Sequence, residues 1–104
     1  MQQITPKEIL DYRDKPDSYL LVYVNLKGCQ GCEMFKPIVE SVEKVFPEIE
    51  FRSMTVNSME EMPVFASASL PSTALFYEGM RIREFLGGTN SREQFKDVIK
   101  SWVL

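Results

Sequence analysis

Residues 19–26 read Tyr-Leu-Leu-Val-Tyr-Val-Asn-Leu, almost continuously apolar and rich in β-branched and aromatic side chains. A strand with one wet face alternates polar and apolar residues, and this run leaves no positions for such a face. It reads as a central strand buried on both sides. A strand of that kind needs a covering layer on each face, which points to a sheet flanked by helices, the α/β class. The 104 residues are enough for one such core, so residues 1–104 are read as a single domain.

The flanking segments supply the layers. Thr5 and Glu8 are spaced as a capping box, Pro6 stands at the first helical position, and Ile4 and Ile9 are spaced as a hydrophobic staple. That helix ends at Lys15-Pro16-Asp17. From Cys32 to Phe46 the apolar Phe35, Ile38, Val42 and Val45 recur at helical spacing, with Glu33, Lys36, Glu40 and Glu43 on the other face. Pro37 lies inside this helix, where it removes a hydrogen bond and kinks the axis. Residues 49–56 read as a strand. Ser58 and Glu61 are spaced as a further cap, and Pro63 can open a short helical turn through Ala66. Two short strands then turn at Glu78-Gly79 as an antiparallel hairpin. Ser91 and Gln94 form a capping box ahead of Phe95, Val98, Ile99, Trp102 and Val103, an amphipathic helix. The expected order is β-α-β-α-β-α-β-β-α, with a short first strand possible at residues 2–4. Crossover helices between the early strands favour a mixed central sheet of four to five strands with helices on both faces.

The bulk properties exclude several functions. A net charge of −3 offers no basic face for phosphates, so no nucleic acid is expected as a partner. No stretch approaches the ~20 apolar residues that span a bilayer. The first ten residues have neither a basic nor an apolar leader segment, so no export signal is expected and the chain reads as cytoplasmic.

The only cysteines, Cys29 and Cys32, are separated by Gln30 and Gly31 just after the buried strand. Two cysteines are too few for a disulfide scaffold, and in the cytoplasm a close pair is more often reactive than structural. At the strand-to-helix junction, Cys29 sits beside unpaired N–H groups and the positive end of the helix dipole, which stabilises a thiolate. Cys32 is one turn later on the same side, within disulfide range. Cys29 is then the exposed attacking sulfur and Cys32 the shielded resolving one, with Lys27 and Lys36 adding positive potential. Two readings stand beside this one. The pair can be two small core residues, or part of a metal site; with no histidine and no third cysteine, a zinc site needs a second chain to complete it.

The chain resembles the thioredoxin family over essentially its full length. The resemblance rests on the buried strand, the C-x-x-C, Pro37 five residues after Cys32, Ser69-Leu70-Pro71 before a strand, the Gly79 turn, Gly87 after the hairpin, and the capped last helix. It implies the thioredoxin fold and a protein-disulfide reductase acting through Cys29 and Cys32. It also implies a cis Leu70-Pro71 bond facing the cysteines, although residue by residue an ordinary trans turn proline fits as well. Gly28, Gln30, Gly31, Leu70, Pro71 and Gly87 would line the substrate groove, and the backbone of Leu70 would pair with a substrate strand. The implied partners are disulfide-containing proteins and a reductase or small-thiol electron donor, with no bound cofactor or metal and a monomeric protein.

Three departures bear on the chemistry. The family's Trp-Cys-Gly-Pro-Cys is Gly28-Cys29-Gln30-Gly31-Cys32 here, and its buried aspartate is replaced by Tyr23. A phenol titrating near pH ~10 is a poor proton acceptor at neutrality, and core packing accounts for Tyr23 equally well. "FLGGTNS" also resembles the Gly-Gly segment with which glutaredoxins hold glutathione, but a glycine turn feeding a helix cap accounts for it too. A glutathione-dependent reductase and a non-catalytic adaptor on the same fold are the alternatives.

Overall fold

The computed structural model describes residues 1–63 and 70–103. Strand β2, Tyr19–Leu26, is the nearly continuous apolar run. It pairs in parallel with β3 (Ile49–Val56) on one edge and antiparallel with β4 (Ser72–Tyr77) on the other. A two-residue β1, Gln2–Gln3, adds to β3 in parallel, and β5, Met80–Leu86, adds to β4 antiparallel. The sheet is five-stranded and mixed, in the order β1-β3-β2-β4-β5.

Alternation along β2 divides the core in two. Leu21 and Tyr23 point to a layer built with Phe35, Val39, Val42, Phe95 and Ile99. These come from helices α2 (Gln30–Glu43) and α3 (Arg92–Val103). Leu20, Val22 and Val24 point the other way, where Ile4, Ile9 and Tyr12 cover them. Ile9 belongs to the short helix α1, Pro6–Leu10, and Tyr12 to the 3₁₀ turn Asp11–Asp14 that follows. All five of these β2 side chains have 0% exposure, so both faces are dry. At ~1.5–3 kcal/mol for each fully buried aliphatic side chain, this one strand anchors both layers.

Local signals place the helices. The Thr5–Glu8 capping box forms in both directions, at 3.2 Å and 3.0 Å, and Ile4 and Ile9 are buried together. Tyr12 donates its hydroxyl to Glu50 on β3, tethering the turn to the sheet. In α2 the buried stripe is Cys32, Phe35, Val39 and Val42, with the expected Ile38 partly buried against the same cluster and the expected Val45 outside it. The helix ends at Glu43, so Val45 lies beyond it at 40% exposure and Val39 takes the core position. Pro37 lies inside α2 on its exposed side, as expected.

The expected helix after Ser58 is a single 3₁₀ turn, Met59–Glu61. Ser58 makes no side-chain cap there; the Glu61 carboxylate instead accepts from the Asn57 N–H at 2.6 Å. The turn expected from Pro63 through Ala66 falls outside the described residues after Pro63. Ser91 caps α3 by accepting from the Gln94 N–H at 3.1 Å, but the box is not reciprocal. The Ser91 N–H goes to the Thr89 hydroxyl, which itself donates to Gln94 Oε1 at 2.7 Å. Arg92 then ties α3 to α2 by donating to Ser41 Oγ at 3.1 Å. Among the described residues no helix is long and apolar enough to cross a membrane.

The β4–β5 hairpin turns at Glu78 and Gly79, both with positive φ (50° and 83°), the backbone of a type I′ turn. A Cβ at Gly79 would lie 2.7 Å from Arg13 Cγ and 2.9 Å from the Arg13 backbone nitrogen. Gly79→Ala therefore meets both an unfavourable φ and a backbone clash. It is expected to destabilise the fold by about 2 kcal/mol, read as a lower denaturant midpoint. Alkylation of reduced Cys29 should be unchanged, because the turn lies at the end of β4 remote from Pro71. An unshifted midpoint would show that the hairpin tip gives way freely.

Candidate redox site at the end of strand β2

Three residues carry the chain from β2 into α2. The Lys27 N–H donates to the Val56 carbonyl at 2.9 Å, continuing the sheet by one bond. The Cys29 N–H then closes a turn onto the Leu26 carbonyl at 3.0 Å, with Gly28 at φ 84°. That backbone gives Gly28 a conformational reason to be glycine, independent of any contact with substrate.

Cys29 is the N-cap of α2. It is extended (φ −79°, ψ 110°), and its sulfur accepts from the Cys32 backbone N–H at 3.1 Å, the place a serine or aspartate oxygen usually takes. The two cysteines are joined as a disulfide, with Cα atoms 5.2 Å apart. Cys29 is half-buried, whereas Cys32 is 2% exposed. The two sulfurs therefore stand in different surroundings. One meets solvent, an N–H donor and the positive end of a 14-residue helix, all of which favour a thiolate. The other is packed on the sheet, where loss of solvation disfavours one. Lys27 and Lys36 are both exposed nearby, as is Glu33 in the first turn.

Tyr23 lies directly beneath. Its ring packs edge-on to Phe35 with centroids 6.0 Å apart, and its hydroxyl donates to the Cys32 carbonyl. Burial, with a smaller contribution from the Glu40 charge, holds the phenol well above its ordinary titration range. Tyr23 is thus both core packing and a direct tether to the first turn of α2.

Beside the cysteines lies an open cleft of about 390 Å³. Gly31, Met34 and Phe35 of α2 form one wall, Leu70 and Pro71 another, and Gly88, Thr89 and Asn90 a third. Among the described residues no lining side chain carries a charge. The Leu70-Pro71 bond is cis and Pro71 is buried. Of the six residues expected to line a groove, Gly31, Leu70 and Pro71 meet here. Gly28, Gln30 and Gly87 do not line this cleft. Met34, Phe35, Gly88, Thr89 and Asn90 were not foreseen. Helical spacing from Gly31 was the available signal for the first two, at i+3 and i+4. Nothing in a Gly-Gly doublet says which glycine faces inward. A Cβ at Gly88 would meet Phe35 Cγ at 3.1 Å and Pro71 Cγ at 3.3 Å, whereas one at Gly87 meets nothing within 4 Å.

A polar ladder crosses the sheet at the same end. Asn25 donates to the buried Ser53 hydroxyl at 3.1 Å and accepts from the Thr55 hydroxyl at 3.1 Å. Gln3 completes it by accepting from the Thr55 N–H at 3.1 Å. These bonds fix β2 against β3 and β1 just before the turn that carries Cys29.

No protein-family model matches the sequence, and no curated protein sequence matches it. Solved structures do. Thioredoxin f2 from Chlamydomonas reinhardtii is similar at 15% identity with a TM-score of 0.80, covering 99% of this chain and 96% of that one. Mitochondrial thioredoxin 3 from Saccharomyces cerevisiae, in its oxidised form, is similar at 20% identity with a TM-score of 0.76, covering 97% and 94%. Oxidised thioredoxin from Plasmodium falciparum is similar at 16% identity with a TM-score of 0.74 over the full length of both chains. With this architecture matched end to end, the chain has the thioredoxin fold, and its close cysteine pair lies where β2 passes into α2.

Proposed function

We propose that the protein reduces disulfide bonds in other proteins by a dithiol–disulfide cycle at Cys29 and Cys32. The observation that carries this reading is the asymmetry of the pair: a half-exposed N-cap sulfur beside an open cleft, with a buried sulfur already within bonding reach. In the cycle the Cys29 thiolate attacks one sulfur of the substrate disulfide. The substrate S–S bond breaks, a Cys29–substrate disulfide forms, and the departing thiolate takes up a proton. Cys32 then loses its proton and attacks Cys29 Sγ. The second substrate sulfur is expelled and protonated, and Cys29 and Cys32 are left joined. The substrate gains two electrons and the protein loses two, so a reductase or a small thiol must restore the dithiol.

The uncharged cleft supports an extended polypeptide beside the disulfide better than glutathione, whose carboxylates and ammonium would find no charged partner among its lining residues. In this reading the protein acts as a cytoplasmic monomer and its reactive groups are its own, with no cofactor in the cycle.

Cys29→Ser is expected to abolish the acceleration that the protein gives to reduction of insulin disulfides by dithiothreitol. Cys32→Ser should instead stop at a covalent adduct with the substrate, seen as an added mass lost on treatment with excess thiol. Faster alkylation of Cys32 than of Cys29 in the reduced protein would reverse the roles. Gly88→Ala tests the cleft. The added methyl must displace Phe35 or Pro71 by a few tenths of an ångström, a loss of about 1 kcal/mol in stability. It should raise the KM for insulin while leaving the alkylation rate of Cys29 unchanged. An unaltered KM would mean that substrate does not use this cleft.

A further inference from the structure

The second step of the cycle has a requirement that the buried surroundings of Cys32 bear on directly. A thiol at 2% exposure must give up its proton before it can attack. The one N–H of the helix end placed on sulfur here is that of Cys32 itself, and it is spent on Cys29. Some other group has to receive the proton.

The groups around Cys32 are few. From β2 comes Tyr23, whose hydroxyl is already donating to the Cys32 carbonyl. From β4 comes Thr73, paired with Tyr23 in the sheet; its buried hydroxyl has no hydrogen-bond partner among the described residues. Ser53 stands on the other side, on β3, bonded to Asn25. Helix α3 offers Phe95 against Phe35; its first charges, Arg92 and Glu93, are exposed and paired with each other. In the sequence, residues 64–69 include no ionisable side chain. On α2, Glu33 and Lys36 are exposed, as is Lys27 before it. Glu40, eight residues and about 12 Å of helix rise beyond Cys32, faces the N-terminal ammonium at 3.6 Å. No Asp, Glu, Lys or Arg side chain is buried among the described residues, and the N-terminal ammonium is held by Glu40.

We propose that Tyr23 is a positioning residue that holds Cys32 by its carbonyl while supplying no base, so that hydroxide in solvent paces the resolving step and the Cys29–substrate disulfide is the long-lived species of the cycle. The proposal rests on the redox reading of the pair. The tether bears on it because it is formed in the closed disulfide, the product of resolution, and a hydroxyl anchored on the Cys32 carbonyl restrains the first turn of α2 in that geometry. What it withholds is proton transfer, which a positioned base normally accelerates by ~10²–10⁴. The balance of the step is unchanged. Cys32's proton goes to hydroxide, the Cys29–substrate bond breaks, the Cys29–Cys32 bond forms, and the expelled substrate thiolate is protonated by water.

The test is a single turnover. Reduced protein is mixed with an equimolar micromolar amount of a cystine-bridged peptide, quenched in acid at intervals, and weighed intact. The wild-type adduct should be the major species at pH 7. Its decay should quicken with each step in pH from 6 to 8, because loss of solvation disfavours the thiolate that must form. Tyr23→Phe keeps the ring and the core but loses the tether; its adduct should decay more slowly at every pH with the same slope. Tyr23→Asp puts a carboxylate in the buried layer under the first turn of α2, and its adduct should decay faster than wild type with a shallower dependence on pH. A wild-type decay that does not change with pH, or a Tyr23→Phe decay equal to wild type, overturns the proposal. If Cys32→Ser holds an adduct and wild type accumulates none at pH 7, the proposal fails while the redox reading stands. If Cys32→Ser forms no adduct either, both fail.

Discussion

Leu20, Val22 and Val24 of strand β2 face one helical layer and Leu21 and Tyr23 face the other, and none of the five reaches water. A strand buried on both faces must also be hydrogen-bonded along both edges, since unpaired backbone groups in a dry core are expensive. Those two demands account for most of the architecture. β3 and β4 must flank β2, and a helix connects β2 to its parallel partner β3. The cysteine pair follows from the same geometry, because the strand ends where α2 begins and its last inward side chains underlie the helix's first turn.

The strands were legible because their signal is local and dense. Residues 19–26 and 49–56 fall where the apolar run and its alternation put them. The hairpin turns where Glu78-Gly79 put it, since few sequences accept two left-handed residues in succession. Helix interiors and ends were less legible. The stripe in α2 includes Val39, because the position a side chain takes in the core depends on where the helix stops. Phe35, Ile38, Val42 and Val45 fit a helical period as well as the observed set does until that end is known. Capping pairs were read correctly where both partners were local and unopposed, as at Thr5 and Glu8. They were misread where a third polar residue competed, as Thr89 does for Gln94 and the Ser91 N–H.

The site divides along the same line. The cysteines, their unequal exposure and the N-cap position of Cys29 follow from a C-x-x-C at a strand-to-helix junction, which is information carried by adjacent residues. The walls of the cleft are not local. Gly88 approaches Phe35 and Pro71 from a loop more than fifty residues after Phe35 in the chain, and only the assembled fold tells it apart from Gly87. The role of Tyr23 is non-local in the same sense. Its burial was readable from the strand pattern, but its hydrogen bond to the Cys32 carbonyl depends on how α2 settles on the sheet.

That contact puts the demands of the fold and those of the proposed chemistry on one position. The fold asks of residue 23 only that it fill the space between β2 and α2, and an aromatic ring in contact with Phe35 does so. The chemistry depends on what the filling side chain places beneath Cys32. An isolated carboxylate there would accept a proton but would itself have to be kept charged out of water, a penalty of several kcal/mol. A phenol carries no charge at neutrality and satisfies its hydroxyl on a backbone carbonyl, so the core keeps its packing density and loses a base. The hydroxyl of Thr73 beside it, without a hydrogen-bond partner among the described residues, belongs to the same arrangement, since it too is polar without being titratable near neutrality. In the proposed cycle, stability of the layer between sheet and α2 and speed of proton removal from Cys32 would pull on this one side chain in opposite directions, and Tyr23 is the choice that serves the layer.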